Sequence, residues 1–167
     1  FCNRCGNPTI SKDGGHMRQC TNADCNAQHF PRTDMAVIMI VSSGDKIILG
    51  RKKDWPKNRF SILAGFVEPG ETIEGAVERE VMEEVGIPIT NIRYHSSQPW
   101  PYPSNLMLGF FAEALSDEIH ITDDELAEAR WFTRDELIDE AIAYRKKPHS
   151  VSIARRLISE WTLKTEG

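Results

Sequence analysis

The sequence predicts an α/β protein: a three-layer α/β/α sandwich built on a mixed sheet, preceded by a small module held together by cysteines. All four cysteines fall within the first 25 residues of the 167-residue chain. Beyond them, apolar runs of strand length alternate with amphipathic helical patterns, which is typical of a sheet covered by helices. A content of 40% hydrophobic and 27% charged residues is ordinary for a globular chain. We therefore expect the small module at 1–30 and the sandwich at 31–167.

The cysteine-rich module is predicted to bind zinc. Its cysteines follow the pattern C-x2-C-x14-C-x4-C, at Cys2, Cys5, Cys20 and Cys25. Two close pairs of thiolates are typical of tetrahedral Zn²⁺ in a zinc ribbon, and a turn-rich segment with few apolar residues needs such a link to fold. Two disulfides are the alternative, which the absence of a visible secretory signal disfavours. Four thiolates complete the zinc shell, so we expect His16 and His29 to be surface histidines.

Apolar runs separated by turn residues predict the strands of the sandwich, and apolar residues at helical spacing predict its helices. The predicted strands are Met35–Val41, Lys46–Leu49, Phe60–Phe66, Ile89–His95, Leu106–Leu115 and Ala129–Thr133. The predicted helices are 72–85, Asp135–Tyr144 and Ser150–Leu163, the last two separated by Lys146-Lys147-Pro148. The predicted connections are 30–33, the turn 42–45, the loop Lys52–Arg59, the stretch 98–105, and an acidic loop or short helix at Asp123–Glu128. Three prolines in 98–105 argue against a regular interior element there.

The helix predicted at 72–85 has clear boundaries. Its apolar residues recur at helical spacing, at Ile73, Ala76, Val77, Met82 and Val85. Thr72 is a suitable N-cap, and Gly86 stands where a left-handed residue ends a helix. Gly65 and Gly70 allow a tight loop before the helix, in which backbone atoms can approach a ligand closely.

Three carboxylates on this helix predict a metal site. Glu83 and Glu84 follow Glu80 by three and four residues, which places the three side chains close together on a helix. Neighbouring carboxylates repel one another unless a cation neutralises them, and oxygen ligands suit Mg²⁺ or Mn²⁺, which also bind phosphate. Arg79 is expected to pair with Glu83 or with Glu71, and to orient the carboxylates rather than react. A solvated acidic helix face is the alternative interpretation.

Charge and hydropathy exclude other classes of function. The net charge is −5 and the pI about 5.6, which argues against a dominant electrostatic grip on nucleic acid. Basic and acidic residues balance in the cysteine module, so we expect it to be structural. The sequence contains no apolar run of 18 residues, so it predicts no membrane span. No secretory leader is visible either, so we expect a cytoplasmic protein.

Residues 65–87, GFVEPGETIEGAVEREVMEEVGI, resemble the Nudix box G-x5-E-x7-R-E-U-x-E-E-x-G-U, with U an aliphatic residue, at every fixed position. Residues 97–103, SQPWPYP, resemble the SQPWPFPxS array of the NADH pyrophosphatases within the Nudix superfamily. The cysteine pattern resembles the zinc ribbon of the same enzymes. Together these resemblances cover essentially the whole chain, and they imply a Nudix α/β/α sandwich behind a zinc ribbon.

The resemblance implies roles for individual residues. The metal ligands, taken with the carboxylate patch, are Glu80, Glu83, Glu84, Glu125 and the main-chain carbonyl of Ala64. Glu84, or Glu83 through a water, is expected to take the proton from the attacking water, and Arg79 completes this catalytic group. The implied substrate contacts are Phe30, Phe66, Gln98, Pro99, Trp100, Pro101, Tyr102, Pro103, Ser104, Asn105 and Ala154. An aromatic side chain on a stiff loop suits stacking on a base, but Trp100 could equally anchor the loop in the core.

The activity that the resemblance implies is metal-dependent hydrolysis of NAD(H) to AMP and nicotinamide mononucleotide by a homodimer. Alternatives that cut the same bond are a broader dinucleotide or ADP-ribose diphosphatase and removal of NAD caps from RNA 5′ ends. A rival from another class is a nucleotide-sensing module that binds without cutting. Such modules typically lose box glutamates, and all of them are present here.

Three positions depart from the family pattern. Tyr102 and Asn105 replace the usual Phe and Ser of the array, and Phe30 replaces a frequent Tyr. Tyr keeps the ring and Asn keeps a donor and an acceptor, so we expect function to persist while selectivity drifts. Long family members carry a further domain ahead of the ribbon, which has no counterpart in these 167 residues.

Overall fold

The computed structural model describes residues 1–122, 124–145 and 152–163, with 140–145 described as backbone only. It separates into two units, Phe1–Thr33 and Asp34–Gly167. In the first unit, an antiparallel three-stranded sheet forms in chain order. Its strands are Thr9–Lys12 (β1), Met17–Cys20 (β2) and Gln28–His29 (β3).

The second unit is built on a mixed sheet. Its strands are Asp34–Ser43 (β4), Lys46–Lys52 (β5), Leu63–Phe66 (β6), Ile89–Trp100 (β7), Asn105–Ala114 (β8) and Leu126–Thr133 (β9). They are ordered β7-β8-β4-β5-β9, with β6 paired to β4. β4 and β8 run parallel, and the other neighbours run antiparallel. The helices are Ile73–Val85 (α1), Arg134–Arg145 (α2) and Ile153–Leu163 (α3).

Side-chain alternation along β4 divides the core into two layers, one on each face of the sheet. Val37, Met39 and Val41 pack in a cluster with the buried face of α1. Ile38 and Ile40 pack in a second cluster with residues of α2 and α3. Every residue of β4 from 36 to 41 is buried, as expected for a central strand covered on both faces. The predicted α/β/α sandwich with a mixed sheet is therefore confirmed.

Helix α1 begins and ends as predicted. The Thr72 side chain accepts a hydrogen bond from the Gly75 N–H at 3.1 Å, and Gly86 ends the helix in the left-handed region with φ of 68°. The predicted buried face is wrong at one position. Met82 is 46% exposed, and Val81 is fully buried instead, because the spacing of four from Val77 keeps it on the core side.

The proline-rich stretch is more regular than expected. Residues 98–100 belong to β7 and Asn105 begins β8, with Pro99 opposite Leu106 and Trp100 opposite Asn105. The predicted connection at 98–105 is therefore wrong at 98–100 and at 105, where the residues lie in strands. Because β7 is the edge strand of the sheet, Pro99 can lie in it although proline donates no ladder hydrogen bond.

Other predicted boundaries differ by a few residues. β6 is shorter than the predicted strand, with Ser61 forming an isolated bridge to Gly50, and β9 is longer, beginning at Leu126. The predicted break at Lys146-Lys147-Pro148, the start of the last helix at Ser150, and Asp123 lie outside the described residues. Among the helices of the described ranges, none has the length and hydropathy needed to cross a membrane.

Candidate active site

The packing of α1 against β6 brings a carboxylate against a glycine. A Cβ atom built on Gly65 would lie 1.8 Å from Cδ of Glu80 and 2.0 Å from each of its carboxylate oxygens. The carboxylate therefore occupies the space that any other side chain at position 65 would need. We expected this glycine to let the backbone approach a ligand; in the structure, it is the side chain of Glu80 that approaches the backbone.

Arg79, on α1, joins three carboxylates, one ahead of the helix and two in its second half. Its Nε and Nη2 donate to the two carboxylate oxygens of Glu71 at 2.8 and 3.0 Å, a bidentate arrangement. Its Nη1 donates to Glu80 at 2.8 Å and to Glu83 at 3.0 Å, and its Nη2 also donates to the Phe66 carbonyl at 2.8 Å. Both pairings expected for Arg79 are present together. The guanidinium thus fixes the carboxylates relative to the end of β6.

The carboxylates of this network have different electrostatic environments. Burial raises the pKa of Glu80 above its ordinary value, opposed by Arg79 and reinforced by the negative charges of Glu83 and Glu125. The hydrogen bonds from Arg79 lower the pKa of Glu71. A carboxylate that is costly to keep charged, with other carboxylates beside it, is stabilised by an added cation.

Glu84 is the deepest of the box glutamates. It is 4% exposed and is the one carboxylate among the buried side chains in the described part of the chain. Burying a carboxylate is unfavourable without compensating charge, so such a position is typical of a functional group. By contrast, more than half of the Glu83 side chain is exposed.

The predicted metal ligands are not all brought together. Within the described ranges, the cysteine cluster is the one group of three or more His, Cys, Asp or Glu side chains placed so that it could hold a metal ion. Glu80 and Glu83 meet on Arg79, and Glu125 lies near enough to influence Glu80 and bonds Lys52 at 3.1 Å. Ala64 lies in β6 opposite Ile38. The predicted donors are all oxygens, a set that fits a hard divalent cation such as Mg²⁺ or Mn²⁺, and Glu80 is the one that the structure places against Gly65.

The predicted substrate loop forms a hairpin tip. Residues 101–104 form the turn between β7 and β8. Tyr102 is 73% exposed, and the Trp100 ring, which is half-buried, meets it edge-on with ring centroids 5.5 Å apart. Ser104 Oγ donates to the Asp34 carboxylate at 3.3 Å, which ties the tip to β4. Trp100 is thus partly buried, and its ring also contacts the exposed ring of Tyr102.

Gln98 has a contact that sequence reasoning missed. Its Oε1 accepts a hydrogen bond of 2.7 Å from the N–H of Ile153, the first residue of α3. Farther along the same pair of elements, His95 Nε2 lies 2.7 Å from a carboxylate oxygen of Glu160. These two contacts fasten β7 to α3. Neither carries a sequence signal, because the partners are more than 50 residues apart.

The remaining predicted substrate residues are spread over the chain. Phe66 is 56% exposed at the end of β6, where its carbonyl meets Arg79. Phe30 is 71% exposed in the first unit. Ala154 lines a cavity of about 340 Å³ with Trp55 and Phe60. Other lining residues belong to the core layer under α2 and α3, so within one chain Ala154 lies on the face of the sheet opposite α1.

The four cysteines converge in the first unit without forming disulfides. Their sulfur atoms lie within 4.8 Å of one another, with Cys2 to Cys25 at 3.9 Å and Cys5 to Cys20 at 3.5 Å. A disulfide bond is about 2.05 Å long. Tetrahedral coordination with Zn–S bonds of about 2.3 Å separates the sulfurs by about 3.8 Å. The cluster therefore fits a zinc ion.

Two polar neighbours contact the sulfurs of this cluster. Hydrogen bonds from Asn7 lower the pKa of Cys5 to about 6, whereas burial raises the pKa of Cys20 to about 12. His29 Nε2 lies 3.2 Å from the sulfur of Cys2, and the histidine is half-buried. The prediction that His29 is an ordinary surface histidine is therefore wrong, because β3 turns its ring towards the cluster. His16 is exposed, as expected.

The chain matches two protein families. The NUDIX domain matches residues 31–155, and the NADH pyrophosphatase zinc ribbon domain matches residues 1–30. Among solved structures, a NUDIX hydrolase from Nitrosomonas europaea has a TM-score of 0.71 at 22% sequence identity, covering 97% of this chain and 89% of that chain. This likeness concerns the fold.

Curated relatives share both units. The NAD-capped RNA hydrolase NUDT12 of Homo sapiens is 45% identical, over 96% of this chain and 37% of its own length. The NAD-capped RNA hydrolase NudC of Mycobacterium bovis is 44% identical, over 93% of this chain and 53% of its own length. The chain thus spans about a third to a half of the length of these relatives. Because the NUDIX domain match covers most of its residues, the chain belongs to the Nudix hydrolase family, and it carries the zinc ribbon domain of NADH pyrophosphatases ahead of the Nudix domain.

Proposed function

We propose that this protein hydrolyses the diphosphate bond of NAD(H), giving AMP and nicotinamide mononucleotide. The observation that carries the proposal is the fit between Glu80 and Gly65, with Arg79 holding Glu71, Glu80 and Glu83 around it. This is a preorganised group of carboxylates in an intact Nudix box. Preorganised charge is the largest contribution to catalysis in many enzymes.

The proposed roles divide the site into parts. Glu80, Glu83, Glu84, Glu125 and the Ala64 carbonyl are the groups that would hold divalent cations, Mg²⁺ or Mn²⁺. When bound, such a cation neutralises phosphate oxygens and favours ionisation of water.

Protein groups position the reactants and accept the proton. Glu84 accepts the proton of the attacking water, or Glu83 does so through a second water. Arg79 keeps the carboxylates in place through its four hydrogen bonds to them. The exposed ring of Phe66, next to the network, offers a surface on which a base can stack.

Removal of NAD caps from RNA is the second candidate, because the curated relatives named above are called NAD-capped RNA hydrolases. It requires the same bond cleavage with an RNA chain attached to the nucleotide. The net charge of −5 disfavours a long RNA footprint, so recognition would centre on the capped nucleotide. Parallel assays with NADH and NAD-capped RNA distinguish the two candidates by their relative kcat/KM.

The hairpin tip, with Asn105 at the adjoining start of β8, is proposed to set selectivity, because Tyr102 and Asn105 depart from the family pattern. Asn105→Ser is expected to change the ratio of kcat/KM between NADH and ADP-ribose by roughly 10- to 100-fold, because one altered polar contact typically has that effect. Both substrates are assayed at one Mg²⁺ concentration, with folding checked by thermal melting. An unchanged ratio in Asn105→Ser and in Trp100→Ala, with both variants folded, would show that the tip does not read the substrate.

The cysteine cluster is proposed to hold one structural Zn²⁺ per chain. Four thiolates leave no open position for water, so this ion takes no part in hydrolysis. Elemental analysis of protein purified without chelator is expected to find one zinc per chain, and Cys20→Ser is expected to lose it together with the fold of the ribbon. Two intact disulfides and no zinc would contradict the assignment.

A homodimer and a cytoplasmic location also stay proposals, which rest on the sequence. Light scattering coupled to size-exclusion chromatography measures the mass directly. The proposed dimer has about twice the 19.0 kDa of one chain. A single 19.0 kDa species at the concentration used for assays would remove the dimer from the account.

A further inference from the structure

Lys52, at the end of β5, lies on the same face of the sheet as α1. Alternation along β5 places Ile48 in the core layer beneath α1. A Cβ on Gly50 would point to Leu126 and Leu63 of the same layer. Lys52 is two residues further along, so its side chain leaves the strand on this face, whereas the neighbouring Arg51 leaves on the other.

An irregularity in the sheet brings this lysine to a predicted metal ligand. The register between β5 and β9 shifts between Arg51 and Lys52, so that Arg51 is opposite Glu128 but Lys52 is opposite Leu126. Bulges of this kind redirect side chains and are frequent beside active sites. Here the result is an ion pair of 3.1 Å between Lys52 Nζ and the Glu125 carboxylate, whose charge also acts on Glu80.

The ion pair is easily exchanged. The side chains of Lys52 and Glu125 are 43% and 63% exposed. Exposed pairs of this kind contribute little to stability, and the lysine stem is flexible. A divalent cation that took Glu125 as a ligand would therefore displace the ammonium at small cost. The displaced ammonium would stay within reach of the carboxylate group, because Lys52 leaves the strand on the face of the sheet that carries α1.

We propose that Lys52 is a phosphate-binding residue of this site, held in place by Glu125 until a divalent cation replaces it there. The inference rests on the proposed diphosphatase function and deepens it. A diphosphate brings further negative charge to a site already lined by carboxylates. The ammonium of Lys52 adds a positive charge to that of the metal, and this charge attracts the diphosphate. Because this contact exists before and during bond cleavage, Lys52 acts on KM rather than on kcat.

The adjacent Lys53 is a matched control. It forms an ion pair of 3.0 Å with Asp124, which is fully exposed, and both lysines come from the same short segment. Lys52→Met and Lys53→Met therefore remove the same charge from the same region. A non-specific loss of positive charge affects both variants alike, and a specific role affects Lys52→Met alone.

Two calorimetric titrations test the proposal without turnover. Mn²⁺ alone is expected to bind Lys52→Met about 3- to 10-fold more tightly than wild type, because its competitor for Glu125 is gone. Inorganic pyrophosphate, titrated at saturating Mn²⁺, is expected to bind Lys52→Met about 10-fold more weakly, and Lys52→Arg is expected to restore its binding. Lys53→Met is expected to match wild type in both titrations, with folding of all variants checked by thermal melting.

The proposal is overturned if Lys52→Met and Lys53→Met give the same Mn²⁺ and pyrophosphate affinities, or if Lys52→Met keeps its pyrophosphate affinity. With NADH, we expect Lys52→Met to raise KM about 10-fold and to leave kcat within about 3-fold of wild type. Absence of NADH hydrolysis by the wild-type protein contradicts the proposed function. The two titrations then still decide whether Lys52 binds phosphate.

Discussion

Glu84→Gln is expected to lower kcat for NADH by about 100-fold or more while the protein stays folded. Glu84 is 4% exposed on the box helix and is both a proposed cation ligand and the proposed proton acceptor. Glutamine has nearly the same shape, so the packing of α1 is retained. Removing a buried charge is expected to leave the thermal midpoint unchanged or to raise it.

The measurement combines steady-state kinetics with thermal melting. Glu78→Gln is the matched control, because Glu78 is exposed on the same helix and the change in charge is the same. We expect the control to keep the wild-type kcat. Wild-type turnover in Glu84→Gln would remove this residue from the reaction and would leave Glu83 as the candidate proton acceptor.

Gly65→Ala is expected to lower kcat by roughly 100-fold, because a displacement of about 1 Å in a catalytic site has effects of that size. The added Cβ would lie 1.8 Å from Cδ of Glu80, so the carboxylate must leave its present position. It would also lose its place beside Arg79, which now bonds it at 2.8 Å. Mn²⁺ affinity is expected to fall along with turnover, since the same carboxylate is a proposed ligand.

A double-mutant cycle shows whether the glycine acts through Glu80. If it does, adding Gly65→Ala to Glu80→Gln lowers kcat much less than adding it to the wild type, since the two changes remove one interaction. Equal losses in both backgrounds would mean that the alanine disturbs the loop or β6 instead. Thermal melting of the single variant separates a local change from a loss of folding.

The helix and its caps could be predicted because they depend on nearby residues. Thr72 and Gly86 act within one turn of α1, and the apolar spacing needs no partner. One residue of the buried face was predicted wrongly: Met82 was expected to be buried, but Val81 is buried instead. The two residues lie at the border of that face. The Nudix family could be predicted because its signature is contiguous in sequence, and the match of residues 31–155 to the NUDIX domain confirmed it.

The features that sequence reasoning missed depend on tertiary position. Pro99 is accommodated in β7 because that strand lies at the edge of the sheet, and strand order cannot be read from one segment. The hydrogen bond from the Ile153 N–H to Gln98 and the ion pair of Lys52 with Glu125 join residues more than 50 positions apart. The close contact between Gly65 and the Glu80 carboxylate joins residues 15 positions apart, and the motif does not show that they meet.

The central claim is cleavage of the diphosphate bond, and product analysis tests it most directly. The wild-type protein is incubated with NADH in the presence of Mg²⁺ or Mn²⁺, and again in the presence of a chelator. The Glu84→Gln variant is incubated with NADH and metal, and the nucleotides from each reaction are separated by chromatography. NAD⁺, ADP-ribose, diadenosine polyphosphate and NAD-capped RNA are run in parallel under the same conditions. We predict AMP and reduced nicotinamide mononucleotide in equal amounts, formed only with divalent metal and nearly absent with Glu84→Gln. If the folded protein binds NADH but leaves it intact under all conditions, the result would contradict the account and favour a sensing module.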